Sequence, residues 1–224
     1  MSERKIIWIP AVPSSGTSAA AGVLQALGVS MGKLNRTAWM DVRGYDMWED
    51  PDFFMFGAEY GYSGLKTEAV ARRHFRMRDY INYRFIQDPE GRLGFKGLPA
   101  WAFDDREPDS LPVEILDVHR PLEDSIIADF KRNQARVDRH GPRATFRRPT
   151  AEEERLRAGS LSTCWLAKRQ LFMAHTPVYS VAFYDLLANP REHVEGIVDA
   201  FELTPAHDQI ESAVAVINPR MRTV

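Results

Sequence analysis

The sequence predicts an α/β protein, with a mostly parallel central sheet flanked by helices in three layers. Three observations carry that prediction. Short β-rich runs at 6–9, 113–118 and 178–183 have the length of strands and no helical period. Segments of helical spacing alternate with them, the order expected of a parallel sheet covered by helices. The first run passes directly into a turn of small residues and then a helix, so the chain opens with a strand, a loop and a helix N-terminus.

The elements follow in order. Ile6, Ile7, Trp8 and Ile9 form a first strand suited to the centre of a parallel sheet. Pro13, Ser14, Ser15, Gly16, Thr17 and Ser18 break the pattern. Ala19 to Leu27 resumes it as a helix, with Val23, Leu24 and Leu27 on one face and Gly28 as the stop. Met31 to Tyr62 is rich in Met and aromatic residues, and Gly44, Pro51, Gly57 and Gly61 predict irregular structure or short helices there. Leu65 to Phe85, dense in arginine, reads as a helix on Val70, Phe75 and Ile81. Leu93 to Lys96 is a short second strand; Val113 to Val118 is a third, running into His119, Arg120 and Pro121. Glu123 to Arg132 is a helix carrying Ile126, Ile127 and Phe130. Residues 136–157 are strongly polar, with arginines at 139, 143, 147 and 148 among those before the acidic run Glu152 to Glu154, and read as a mobile insertion. Leu161 to Ala174 is a helix, Val178 to Phe183 a strand, and Arg191 to Phe201 a further helix. Residues 1–224 read as one domain.

Composition narrows the class. Hydrophobic residues at 44% and charged residues at 27% are ordinary for a globular protein. A net charge of -2 gives no overall electrostatic footprint for nucleic acid, so no such partner is expected. The single cysteine, Cys164, excludes an internal disulfide and suits a reducing compartment; beside Trp165 it reads as a packed thiol. No run approaches the ~20 apolar residues of a membrane span, and the polar start leads into a short strand. A cytoplasmic protein without a membrane partner is expected. The histidines are scattered without ligand spacing, so no metal is expected.

The loop from Pro13 to Ser18 carries the first functional signal. Gly16 lets the backbone pass close to a ligand, and the unpaired N–H groups of the following helix point at it. Ser15, Thr17 and Ser18 add hydroxyl donors. This is a phosphate cradle, but not that of nucleotide hydrolases, because no lysine follows Gly16. Two further residues stand at strand ends, where ligands of open α/β sheets gather. Lys96 closes an apolar strand, where an ammonium needs an anionic partner. Arg120 follows the third strand, and its guanidinium is suited to bidentate phosphate binding.

These segments resemble the sulfotransferases. Pro13 to Ser18 is similar to their 5′-phosphosulfate loop, P-[KR]-S-G-T-[ST], with Ser14 where that motif has a basic residue. Ile115 to Arg132 resembles their 3′-phosphate motif: Arg120 and Asp124 match, Pro121 comes one residue early, and Ala128 stands at the serine position. Ser125, three residues before Ala128, shares its helix face. Gly94 to Pro99 is similar to the G-[FW]-K-x-P strand of bacterial and heparan-type members, with one extra residue before the proline. Arg43 to Phe54 resembles the G-Y-[FW]-E-[DN] stretch of bacterial members, with Asp46 and Met47 lengthening the spacing. Tyr184, Asp185, Leu186, Leu187 and Pro190 match the closing Y-[ED]-D-L-L-x-[DN]-P pattern.

The resemblance implies a P-loop-like sulfotransferase fold and the donor 3′-phosphoadenosine 5′-phosphosulfate as co-substrate. It implies that residues 14–18 hold the 5′-phosphosulfate and that Arg120 holds the 3′-phosphate; Ser125 is the candidate to replace the hydroxyl missing at Ala128. Tyr184 lies near the adenine, Lys96 stabilises the leaving oxygen, and Glu49 takes the proton of a hydroxyl or amine acceptor. His74 is an alternative base; His119, on an alternating strand, points to the face opposite Arg120. Aromatics at Trp39, Tyr45, Trp48, Phe53 and Phe54 could stack a small-molecule or saccharide acceptor, or simply pack. Two other readings stay open. One is a protein of this fold without transfer activity that holds a nucleotide, an anion or a protein partner, given the losses at Ser14 and Ala128. The other is a phosphoryl-transferring kinase, which lacks the loop lysine. The sequence leaves the acceptor and the oligomeric state open.

Overall fold

Every residue of the first strand, β1 (Ile6–Pro10), is buried, which is why its sequence is unbroken by polar side chains. In the computed structural model, which describes residues 6–31, 84–86, 92–97, 113–137, 147–174 and 176–217, β1 sits inside a four-stranded sheet. The sheet order is β2-β1-β3-β4, with β2 at Leu93–Gly97, β3 at Val113–His119 and β4 at Tyr179–Ala182. All three pairings are parallel. The described elements form the α/β architecture that the sequence predicts.

Residue alternation along β1 divides the core into two faces. Ile7 and Ile9 join one apolar cluster with Val23 and Leu24 of α1 (Thr17–Ala26) and with Leu116 and Val118 of β3. Ile6 and Trp8 join another with Phe95, Ile115 and Leu171. The first face is completed by α5 (Pro190–Ala200) and α6 (His207–Val216), through Val194, Ile197 and Ala213. The second is covered by α3 (Ala151–Ala174), which brings Leu171. A third cluster joins Leu161 of α3 to Ile126 of α2 (Leu122–Val137) and to Val12, just ahead of the loop.

Several boundaries differ from the expectation. α1 begins at Thr17, two residues before the first apolar periodic position, because small polar residues fill its first turn. At the two ends of the expected insertion at 136–157, α2 runs on to Val137 and α3 starts at Ala151, while 138–146 lie outside the described residues. A capping box starts α3. The Glu153 N–H donates to Thr150 Oγ1 at 3.3 Å, and the Thr150 N–H donates to Glu153 Oε2 at 2.7 Å. Arg147 grips the same carboxylate at 2.8 and 3.1 Å, and these bonds hold Glu153 down at about 2. The strand expected at 178–183 ends at Ala182, and α4 (Phe183–Ala188) begins there. α6 was not expected from the sequence. Of the arginine-rich helix expected at 65–85, residues 84–86 alone include a described part, and it is helical.

An acidic residue interrupts the apolar run of β3 and is answered from α3. Asp117, 5% exposed, pairs with Lys168, whose Nζ also donates to the Val118 carbonyl at 2.9 Å. Ser180 of β4 donates to the same carboxylate at 2.8 Å. Burial pulls the Lys168 pKa down and Asp117 opposes that shift. The pair fastens α3 to the carboxyl end of β3. Lys168→Ala leaves a buried carboxylate uncompensated and is expected to cost about 3–5 kcal/mol, read by chemical denaturation. A Lys168→Met, Asp117→Leu double variant should lose much less.

Candidate functional site

The parallel register decides what meets at the carboxyl edge of the sheet. Ile9 stands beside Lys96 and Pro10 beside Gly97, so Lys96 shares the face of Ile9, on which α1 packs. Its Nζ donates to Ser18 Oγ at 3.0 Å, in the first turn of α1, and Lys96 is 5% exposed. On the other side of β1, Leu116 and Val118 point to that same face, and Arg120 continues the alternation beyond the strand end. His119 lies opposite, 3.5 Å from Asp117 on the α3 side, as its parity predicts.

Arg120 is held on several sides. One Nη donates to the Ser14 carbonyl at 3.4 Å and the other to Tyr184 Oη at 2.9 Å. Its guanidinium lies 5.2 Å from the ring centroids of both Phe183 and Tyr184, a cation–π arrangement. The Tyr184 hydroxyl donates in turn to Asp124 Oδ2 at 2.7 Å. Partial burial, then the bond to Asp124, raises the Tyr184 pKa, so the phenol stays a proton donor at neutral pH. Tyr184 sits on the short helix α4. Its neighbour Phe183 supplies the packing that the sequence does not reveal.

The loop between β1 and α1 is shaped by two left-handed residues, Ser14 at φ 63° and Gly16 at φ 95°. At Gly16 the requirement is double. The backbone conformation favours glycine, and a Cβ would come within 2.1 Å of the Phe183 ring. Ser15 is committed internally: its hydroxyl donates to the Val12 carbonyl at 2.7 Å and it is 2% exposed. In this structure the hydroxyl closes the turn. The N–H groups that open α1 have no intrahelical acceptor by construction, and the Ala19 N–H bonds the Gly16 carbonyl at 3.0 Å. Thr17 is buried within the same turn.

Ser125 and Ala128 are both buried on the inner face of α2, as their spacing predicts. Cys164 is partly buried against Val12, Ile126 and Leu161, and burial pushes its thiol pKa up, the behaviour of a packed side chain. Glu49, His74 and the aromatics at 39–54 lie outside the described residues. Two hydrogen-bonded groups therefore meet the one loop that holds Gly16: Lys96 with Ser18, and Arg120 with Ser14, Tyr184 and, through Tyr184, Asp124. Among the described residues, no helix is long and apolar enough to cross a membrane, and no three His, Cys, Asp or Glu side chains group as metal ligands.

The fold has a counterpart in a solved structure. The chain is similar to the crystal structure of sulfotransferase STF1 from Mycobacterium tuberculosis H37Rv, with a TM-score of 0.55 and 15% identity. The match covers 100% of this chain and 78% of that one. At that identity the likeness shows the fold: an α/β sheet with flanking helices, shared with a sulfotransferase. No protein-family model and no curated protein matches the chain.

Gly16→Ala forces a Cβ into the left-handed region and against Phe183. It is expected to destabilise the protein by about 1–3 kcal/mol, seen as a lower denaturation midpoint. Phe183→Ala removes all three ring atoms that the new Cβ meets, so the Gly16→Ala penalty should be smaller in the Phe183→Ala background than in the wild-type chain, read from the same denaturation midpoints.

Proposed function

We propose that the chain is a sulfotransferase that takes 3′-phosphoadenosine 5′-phosphosulfate as donor and moves its sulfuryl group to a hydroxyl or amine of a small-molecule or saccharide acceptor. The observation that carries this reading is the approach of two cations from two strand ends to one helix-opening loop: Lys96 bonded to Ser18, and Arg120 bonded to Ser14. Both strands flank β1 in a fold shared with a sulfotransferase. A bisphosphorylated nucleotide fits that donor set. Loop amides and a helix start suit one phosphate group, a guanidinium suits a second, and an ammonium between buried strands suits charge that develops during transfer.

Each residue then has a stated task. The amides at Gly16 to Ser18 orient the phosphosulfate, Arg120 fixes the 3′-phosphate, and Tyr184 with Phe183 keeps the guanidinium aimed. The acceptor oxygen bonds to sulfur as the sulfur–oxygen bond to the 5′-phosphate breaks. The electron pair stays on that phosphate oxygen, beside Lys96, and the acceptor proton passes to the carboxylate of Glu49. Catalysis of this kind is positioning and charge stabilisation. A reducing compartment such as the cytoplasm agrees with the one packed thiol, Cys164.

Binding of the donor product, 3′-phosphoadenosine 5′-phosphate, measured by calorimetry tests the reading directly. Arg120→Ala should weaken it by at least about 30-fold, the effect of losing one charged phosphate contact. Unchanged affinity removes the 3′-phosphate assignment. Lys96→Ala should lower the transfer rate by about 100-fold or more, with a smaller effect on nucleotide affinity. Donor binding without turnover, across a range of hydroxyl and amine acceptors, favours a protein of this fold that has lost the chemistry.

A further inference from the structure

Ser14 stands where the resembling loop carries a basic residue, and its side chain is aimed at a buried acid. Its hydroxyl donates to Asp129 Oδ1 at 3.4 Å, and Asp129 is 1% exposed. The other carboxylate oxygen of Asp129 lies 2.7 Å from Nε of Arg157, on α3. A chain of three residues from three elements, the loop, α2 and α3, therefore ends in a guanidinium beside the loop. Arg157 is not stranded on the surface: its side chain is 22% exposed. Leu161 and Cys164, four and seven residues on, occupy the same face of α3 and pack on Val12, two residues before Ser14. Arg157 Nε lies at ion-pair distance from Asp129 without the alignment of a hydrogen bond, and among the described residues its two Nη nitrogens meet no acceptor, so that outer pair of donors is left for an anion.

We propose that Arg157 is an anion-binding residue of the loop, supplying from α3 the positive charge that Ser14 does not carry. The inference rests on the donor-site reading above. Asp129 has a positioning role: it fixes the guanidinium and, through Ser14, ties it to the loop. Ser14 explains its own unusual backbone in this scheme, since the left-handed conformation at φ 63° places its carbonyl on Arg120 and its hydroxyl on Asp129 together. Two arginines from different elements thus reach the same residue of the loop, one directly and one through a carboxylate. The resembling family's loop cation and this arginine would be alternative sources of one charge.

The test is calorimetric titration of the full chain with 3′-phosphoadenosine 5′-phosphate. Arg157→Gln alone would strand a buried carboxylate, so the variant used is Arg157→Gln with Asp129→Asn, checked for folding by thermal denaturation. It should lose about tenfold or more in affinity. Adding Ser14→Lys should restore most of that loss, a rescue that a purely structural role for Arg157 would not give. Unchanged affinity in the folded double variant, with wild-type binding intact, overturns this inference and leaves the donor-site reading standing. A loss that Ser14→Lys does not repair also overturns it. Failure of the wild-type chain to bind the nucleotide overturns both.

Discussion

The parallel register of β1 with β2 and β3 is the constraint on which the candidate site depends. Because Ile9 pairs with Lys96, and because Leu116, Val118 and Arg120 alternate in step with Ile7 and Ile9, two cations emerge on the face that α1 covers. A slip of one residue in either pairing would turn Lys96 or Arg120 to the other face, among the residues that meet α3. The register is well determined, since both faces of the strands are buried: Trp8 stacks on Phe95 at 5.4 Å on one side while Ile7 and Ile9 meet α1 on the other. Core packing and site geometry are therefore one requirement here, met by the same residues.

The loop between β1 and α1 shows how that frame holds a strained conformation. Two left-handed residues within three positions cost backbone energy, more at Ser14 than at Gly16, and such conformations persist where surrounding contacts over-determine them. The contacts are identifiable. Phe183 closes over Gly16, Arg120 takes the Ser14 carbonyl, Asp129 takes its hydroxyl, and Ser15 pins the turn to Val12. Phe183 and Tyr184 do double work, because α4 starts where β4 ends and sets both rings against one guanidinium. The Asp117–Lys168 pair steadies the opposite face of the same strand end.

Much of this was legible in the residues, for physical reasons. Strands buried on both faces leave unbroken apolar runs, so β1 stands out; Lys96 and Arg120 stand out because charge at the end of such a run needs a partner. What the sequence hides is long-range. Nothing near Phe183 announces that its ring caps Gly16, and the run 178–183 reads as one strand although Phe183 turns into a helix. Asp129 looks like an ordinary helix acid until Ser14 and Arg157 are seen on its two oxygens. Two misses had local signals. Thr150 and Glu153 have capping-box spacing ahead of α3, and Ile210, Ala213, Val214 and Ile217 repeat at helical spacing in the segment that forms α6.

A crystal structure of the chain with 3′-phosphoadenosine 5′-phosphate is the most direct test of the account. It should show the 5′-phosphate within hydrogen-bond distance of the amides at Gly16 to Ser18, the 3′-phosphate on Arg120, and Lys96 turned from Ser18 toward the 5′-phosphate oxygen. A nucleotide seated away from the β1–α1 loop, or one that leaves Arg120 and Lys96 on separate surfaces with no shared ligand, would contradict it.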